Sequence, residues 1–267
     1  KIAIISLGCP KNQVDADVFC HALIKDGHTT VGDPAEADII IINTCCFIND
    51  AKEESINTIL EMAEHKRDAK LKALIVTGCL AQRMGEALRE TGARLILGTQ
   101  YRARVVELLE QAVREGMQMV AVEGVSNAPY EPLSIHSHEG HTRAVMKIQE
   151  GCDNRCTYCI IPTLRGRFRS RPIEDIIAEA KDLESLGTKE LNLVAQDTSR
   201  YGEDLYGEYS LARLLRELTE QTSIPWIRLL YLYPDKITDE LITEIRENPR
   251  VLKYIDLPIQ HISDRML

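Results

Sequence analysis

The chain has 267 residues, of which 44% are hydrophobic and 27% are charged, and its formal net charge is −9. This length accommodates two domains of ordinary size, and the composition is that of a globular protein. No apolar run reaches the length of a membrane span, and the first residues lack the features of a secretory signal peptide. The acidic balance disfavours tight binding to DNA or RNA, which requires a basic surface, and suits a basic protein partner better.

The first 124 residues alternate strands with helices. The predicted strands are KIAIISLG, ADIIIINT, ALIVTG, LILG and MQMVAVEG, and the predicted helices lie at about 12–25, 49–65, 81–91 and 101–116. The continuous apolar run ADIIIINT is typical of a strand that is buried on both faces. The alternation predicts an open parallel α/β sheet.

Residues 125–141 are rich in Ser, Pro, His and Gly, which predicts a linker. A second alternation fills 142–267, with predicted strands RAVMKIQEG, ELNLVAQ, WIRLLYL and VLKYIDLPI. The helices between them include TDELITEIREN, with Thr238 as its expected N-cap. Four β/α units of this kind predict part of a barrel. Since four units do not close a barrel, we expect its remainder to lie beyond Leu267.

The chain contains eight cysteines: Cys9, Cys20, Cys45, Cys46, Cys79, Cys152, Cys156 and Cys159. Disulfide frameworks belong mainly to small secreted domains. Cysteines in a long chain without an export signal indicate metal or redox chemistry instead.

Cys152, Cys156 and Cys159 form a C-x3-C-x2-C motif directly after the first strand of the predicted barrel. Active groups of β/α barrels lie on the loops that follow the strands. A structural zinc site requires four ligands, and cubane clusters are normally held by four cysteines. Three local ligands would therefore leave one iron of a cubane open. A zinc knuckle with a distant fourth ligand, or a structural cluster, is the alternative.

Cys9, Cys45 and Cys79 each follow a predicted parallel strand of the first domain. Neighbouring strands lie about 4.8 Å apart, and open α/β sheets gather ligands at the carboxyl ends of their strands. The three thiols are therefore predicted to converge on a second cluster, with three buried core cysteines as the alternative. Cys46 competes with Cys45, which is preferred because it immediately follows the strand end. Cys20 lies within a predicted helix and is interpreted as structural.

The segments SLGCPKN, NTCCFI, VTGCL and EGCDNRCTYCIIP, followed by RGRFRSRP, resemble the methylthiotransferase family of radical S-adenosylmethionine enzymes over essentially the whole chain. The aromatic Tyr158, just before the last cysteine of its motif, adds to the likeness and is predicted to contact the cofactor. AQDTSRYG and LYLYP resemble the branch that modifies a ribosomal-protein aspartate, the RimO type. Members that modify tRNA usually carry GQN at the first of these positions. Cys46 departs from the family pattern, which has Gly there.

The resemblance implies two [4Fe-4S] clusters and S-adenosyl-L-methionine as cofactors. One cluster, on Cys152, Cys156 and Cys159, would cleave S-adenosylmethionine to a radical. The other, on Cys9, Cys45 and Cys79, would hold or donate sulfur, and a second S-adenosylmethionine would supply the methyl group. The implied substrate is an aspartate β-carbon of a small-subunit ribosomal protein. The implied setting is a cytoplasmic monomer that receives electrons from a flavodoxin or ferredoxin, and the C-terminal TRAM domain of the family is not part of this chain.

Residues near the barrel mouth are weaker candidates. Gln196, Asp197 and Ser199 follow the second barrel strand and are predicted to bind polar groups of the cofactor, with simple loop capping as the alternative. Arg228 in the third strand is a further cofactor-binding candidate. Weaker candidates around the fourth strand are Asp256, Gln260 and His261. The linker histidines are interpreted as solvated: His136, His138 and His141. Two rival functions stay open, tRNA methylthiolation and a non-catalytic iron–sulfur electron carrier or binding protein.

Overall fold

The computed structural model describes residues 1–65, 71–125, 142–258 and 262–265. These residues form two compact units. Unit 1 comprises the described residues up to Val125 together with Asp153–Arg167. Unit 2 comprises 142–152 and the described residues from Phe168 onward. The predicted linker lies outside the described residues except for Val125.

Unit 1 is built on one parallel five-stranded sheet whose strand order follows the sequence. Its strands are β1 (Ile2–Ser6), β2 (Ile39–Thr44), β3 (Ala73–Gly78), β4 (Leu95–Leu97) and β5 (Met119–Ala121). Its helices are α1 (Pro10–Lys25), α2 (Asn49–Glu64), α3 (Cys79–Met84), α4 (Val105–Glu115) and α5 (Ile161–Arg165). The predicted open parallel α/β sheet is confirmed.

Both faces of the sheet are buried, as the unbroken apolar runs predict. In β2, Ile40 and Ile42 belong to the core on one face, whereas Ile39 and Ile41 belong to the core on the other. Successive side chains of a strand point to opposite faces, so an all-apolar strand needs helices on both. This arrangement aligns the carboxyl ends of the strands along one edge of the sheet.

Two elements of unit 1 differ from the sequence prediction. The helix predicted over 81–91 begins earlier, since α3 starts at Cys79, and it continues after Met84 as a 3-10 helix over Gly85–Thr91. Gly78, with φ 90° and ψ −159°, allows the chain to pass from strand to helix without an intervening loop. The short helix α5, within the cysteine loop, was not predicted.

Unit 2 contains a three-stranded parallel sheet in the order β10-β9-β6. The strands are β6 (Arg143–Lys147), β7 (Gln149–Glu150), β8 (Arg169–Ser170), β9 (Glu190–Val194) and β10 (Trp226–Leu229), of which β7 and β8 form a separate antiparallel pair. The helices are α6 (Ile173–Ser185), α7 (Glu203–Tyr206), α8 (Leu211–Gln221) and α9 (Asp239–Glu247). The α/β class predicted for this half is confirmed.

Thr238 caps α9 as predicted, because its side-chain oxygen accepts a hydrogen bond from the Leu241 amide at 3.1 Å. The fourth strand predicted from VLKYIDLPI is wrong for its described part. Only an isolated bridge joins Val251 to Ile227. The Tyr254 amide donates to the Leu252 carbonyl at 2.8 Å, and this local turn removes the amide from any ladder. None of the described helices has the length and apolar character needed to span a membrane.

Candidate functional site

Three cysteines lie at the carboxyl ends of the three adjacent parallel strands β1, β2 and β3. Cys45 directly follows β2 and Cys79 directly follows β3, and the last residues of these strands, Thr44 and Gly78, are paired in register. Cys9 follows β1 after a short turn and is the N-cap residue of α1. The sheet thus brings the three predicted ligands to one edge of unit 1.

The Cys45 thiol occupies the space between the strand ends. A Cβ atom placed on Gly8 would lie 2.8 Å from the Cys45 sulfur, so this thiol packs directly over the turn that precedes Cys9. Burial is the main cause that raises the pKa of Cys45, and the nearby thiols of Cys79 and Cys9 raise it further.

The three thiols could hold an iron–sulfur cluster, since such clusters are bound by cysteine thiolates. No group of three or more Cys, His, Asp or Glu side chains in the described parts of the chain is arranged around one metal ion. Gly8 and Gly78, both at φ near 90°, keep the backbone beside the thiols free of Cβ atoms.

Cys46 is buried in the same apolar core of unit 1 against which Cys79 packs. Its side chain is 2% exposed and belongs to the apolar core beneath the sheet. Burial raises the pKa of Cys46 to about 11, although Arg83 opposes the rise. The choice of Cys45 over Cys46 as the ligand that follows β2 stays a prediction.

Asn12, which is fully buried in α1, joins the strand ends that carry the cysteines. Its side-chain amide donates to the carbonyls of Leu7 and Thr44, both at 2.9 Å. Leu7 lies two residues before Cys9 and Thr44 lies just before Cys45. The asparagine therefore fixes the spacing between the first two predicted ligands. Sequence reasoning missed this role, because it depends on contacts across 32 residues of chain.

Ser55 in α2 holds the backbone of Cys45. Its hydroxyl accepts from the Cys45 amide at 3.0 Å and donates to the Cys45 carbonyl at 2.8 Å. The side chain is fully buried, so water does not replace it. A buried backbone group left without a partner is costly.

We expect the substitution Ser55→Ala to lower the free energy of unfolding of unit 1 by about 1 to 3 kcal/mol, because it leaves both backbone groups of Cys45 unpaired. Equilibrium urea denaturation of the apo-protein measures this. Thr58→Ala is the matched control, since the Thr58 hydroxyl only donates to the Glu54 carbonyl of its own helix. Equal losses in the two variants would contradict the role given to Ser55.

Arg165 in α5 reaches the same edge of the sheet. Its guanidinium donates to the Asp15 carboxylate at 2.5 Å, to Asn12 Oδ1 at 2.6 Å and to the Cys79 sulfur at 3.3 Å. Arg102 also lies 3.4 Å from Asp15. Sequence reasoning recorded the RGR segment only as part of a family motif, because nothing local marks a contact across 150 residues.

The C-x3-C-x2-C motif lies on the loop that follows β7. Cys156 and Cys159 belong to unit 1, and the Cys159 amide donates to the Cys156 carbonyl at 2.9 Å in a tight turn. Cys152 follows Gly151, which has φ 80°, and is assigned to unit 2. Three thiols within eight residues suit a cluster with one open iron. Tyr158, between the last two cysteines, is 76% exposed.

The predicted cofactor-binding residues after β9 are engaged in loop contacts. Ser199 donates to the Asp197 carboxylate at 2.7 Å, and the Asp197 carbonyl accepts from Gln149 at 2.6 Å. Gln196 donates to Glu150 at 2.8 Å, and Glu150 pairs with Lys147 at 2.6 Å. The role of Asp197 and Ser199 at the cofactor stays a prediction, with loop capping as the alternative. Sequence reasoning missed the buried Lys147–Glu150 pair beside Gln196, although Glu150 stands two residues before Cys152.

Arg228 is directed toward Glu190, the first residue of β9, at 2.6 Å, and stacks on the Tyr254 ring at 5.0 Å. Glu190 is at the amino end of β9, and the role of Arg228 at the cofactor stays a prediction. Asp256 accepts a hydrogen bond from the Tyr231 amide at 2.8 Å, where Tyr231 has a positive φ of 63°. The remaining histidine and glutamine candidates lie outside the described residues: His136, His138, His141, Gln260 and His261.

Two family profiles match the chain. Residues 1–98 match the Uncharacterized protein family UPF0004, and residues 146–267 match the Radical SAM superfamily. The first range contains the strand-end cysteines and the second contains the C-x3-C-x2-C motif.

Curated relatives match the chain from end to end. Proteins named ribosomal protein uS12 methylthiotransferase RimO are 49% identical in Geobacter sulfurreducens and 47% identical in Clostridium tetani. Each alignment covers 100% of this chain and 60% of the relative, so the chain spans about three fifths of their length.

Among solved structures, the chain resembles the radical S-adenosylmethionine methyltransferase TsrM from Kitasatospora setae. That structure, with tryptophan substrate and an S-adenosylmethionine analogue bound, matches at a TM-score of 0.61 and 14% identity, over 91% of this chain and 56% of that chain. A second structure of TsrM, with cobalamin and a [4Fe-4S] cluster bound, matches at a TM-score of 0.58. At this identity the likeness concerns the fold.

Proposed function

Because this chain belongs to the methylthiotransferase family of radical S-adenosylmethionine enzymes, RimO type, we propose that it acts in the methylthiolation of an aspartate β-carbon of the small-subunit ribosomal protein uS12. The observation that carries the proposal is the convergence of Cys9, Cys45 and Cys79 at adjacent strand ends, in a chain that also holds a three-cysteine radical motif. A single cluster would suffice for radical formation, and the second three-thiol site supplies the place for sulfur.

In this proposal, the two sets of cysteines hold two clusters that have different roles. Cys152, Cys156 and Cys159 hold a [4Fe-4S] cluster by three irons and leave the fourth open to S-adenosylmethionine. When bound, this pair supplies the radical that removes a hydrogen atom from the substrate. Tyr158 and Gln196 stand next to the motif and to the end of β9, respectively, and we assign them to the cofactor site.

Cys9, Cys45 and Cys79 would hold the auxiliary cluster, which would supply the sulfur that is transferred. The chain's own residues set the geometry of this site: Ser55 fixes Cys45, and Asn12 spaces the strand ends. The reaction replaces one Cβ–H bond of the aspartate by a C–S bond. One S-adenosylmethionine would take one electron from the external donor, release methionine and leave with the hydrogen atom as 5′-deoxyadenosine. A second would give its methyl group to the sulfur and leave as S-adenosylhomocysteine. Formation of the C–S bond from the substrate radical would return one electron to the auxiliary cluster.

The charge of the chain supports a protein substrate over RNA. Its net charge of −9 favours encounter with a basic ribosomal protein, whereas RNA binding requires a positive surface. We place the reaction in the cytoplasm, with a monomeric enzyme and an external electron donor such as a flavodoxin or ferredoxin.

The full-length protein, reconstituted anaerobically with iron and sulfide, tests the proposal. We expect about eight irons per chain and, with dithionite and S-adenosylmethionine, 5′-deoxyadenosine together with uS12 that carries one methylthio group by mass spectrometry. Modification of tRNA in place of uS12 would refute the substrate. Bound iron without any 5′-deoxyadenosine would identify an electron carrier, and bound zinc would refute both clusters.

A further inference from the structure

The segment Asp153–Arg167, which carries Cys156 and Cys159, is packed into unit 1. Leu164 of α5 is 4% exposed and joins the apolar core beneath the sheet. The Leu164 carbonyl accepts a hydrogen bond from the Thr99 hydroxyl at 2.7 Å. The helix that ends at Arg165 therefore has a fixed position relative to the strand ends.

Arg165 connects this helix to the auxiliary cysteines. One nitrogen of the guanidinium donates to Asp15, and the other lies 2.6 Å from Asn12 Oδ1 and 3.3 Å from the Cys79 sulfur. Asn12 in turn binds the carbonyls of Leu7 and Thr44. Through these contacts, one side chain is coupled to all three strand ends that carry the thiols.

The ion pair between Arg165 and Asp15 does not by itself explain why the guanidinium also contacts the Cys79 sulfur. Asp15 and Arg165 are both at least nine-tenths buried, and their pairing alone offsets much of the cost of burying the charges. The planar guanidinium presents donors on two sides, and Arg165 turns one of them to the Cys79 sulfur.

We propose that Arg165 is a positioning residue for the auxiliary cluster, which holds the Cys79 thiolate in place and raises the reduction potential of the cluster. The inference rests on the proposed function, in which Cys79 is a cluster ligand. Hydrogen bonds and positive charge near cluster sulfurs stabilise the reduced, more negative state. The same contact ties the segment that carries Cys156 and Cys159 to the cluster that provides sulfur.

The test uses the full-length protein in which Cys152, Cys156 and Cys159 are all replaced by Ala, so that only the auxiliary cluster is reconstituted. In this background we compare Arg165→Met, Arg165→Lys and the control Arg167→Met, whose side chain is 74% exposed. The reduction potential is followed by electron paramagnetic resonance, and the loss of iron to a chelator is followed by absorbance.

We expect Arg165→Met to shift the potential to a more negative value and to speed iron loss about tenfold, the lower range for groups that support metal ligands. Arg165→Lys keeps the positive charge but lacks the planar set of donors, so its reduction potential should lie between those of Arg165→Met and the parent protein. The control Arg167→Met should have the potential and the rate of iron loss of the parent. A potential unchanged in both Arg165 variants, with only a lower unfolding midpoint, would overturn the inference alone. Absence of iron in the parent would overturn the auxiliary cluster and this inference together.

Discussion

The substitution Cys156→Ala is expected to reduce 5′-deoxyadenosine formation to background while about half of the iron stays bound. Cys156 is the central ligand of the motif, and two remaining thiols do not hold a cubane that needs an open iron for the cofactor. The thiols of Cys9, Cys45 and Cys79 follow the strands β1, β2 and β3 in another part of the sequence and should keep their cluster. Iron analysis and chromatography of the products after reaction with dithionite and S-adenosylmethionine measure both quantities.

Two further alanine variants test whether the effect of Cys156→Ala is specific to the C-x3-C-x2-C motif. Cys20→Ala removes a thiol in the middle of α1, away from the strand ends, and should leave iron content and product formation unchanged. Cys45→Ala should lose the other half of the iron and still form 5′-deoxyadenosine. Loss of all iron in Cys156→Ala would refute the assignment of two independent sites.

The placement of Cys9, Cys45 and Cys79 at strand ends was largely predictable, because the apolar pattern of a strand and the residues that end it are local features of the sequence. Four successive isoleucines in β2 predict a strand buried on both faces, and a parallel sheet places everything that follows such strands at one edge. The positions of Cys45 and Cys79 follow from that rule alone. The choice of Cys45 over Cys46 as a ligand rests on the strand end alone and stays a prediction.

The side chains that hold the strand-end cysteines in position were not predictable, because they contact residues that are far away in the sequence. Arg165 contacts Asp15 across 150 residues of chain, and the sequence around either residue does not indicate which residue it pairs with. The failure at VLKYIDLPI has a different cause. Its apolar pattern suits a strand, but Ile255 is 51% exposed and the Leu252–Tyr254 turn interrupts pairing. The spacing of apolar residues indicates which side chains favour burial. A strand also requires a neighbouring strand whose carbonyl groups accept hydrogen bonds from its amides.

The substitution Gly78→Ala is expected to destabilise unit 1 by roughly 2 to 6 kcal/mol and to release the auxiliary cluster. Its φ of 90° and ψ of −159° fall in a region that is essentially restricted to glycine, which costs another residue about 1 to 3 kcal/mol. A Cβ atom would also lie 2.4 Å from Asn43 Oδ1 and 2.5 Å from the Thr44 carbonyl oxygen. Overpacking of this kind adds about 1 to 3 kcal/mol.

Gly116→Ala separates these two contributions. Gly116 ends α4 at a positive φ of 66°, and an added Cβ would meet no atom within 4 Å. This control should lose only about 1 to 2 kcal/mol, the cost of the left-handed conformation. The difference between the variants in urea denaturation of the apo-proteins measures the clash with β2. If the two variants lost equal stability, and Gly78→Ala retained its iron, the close approach of β2 and β3 beside Cys79 would be refuted.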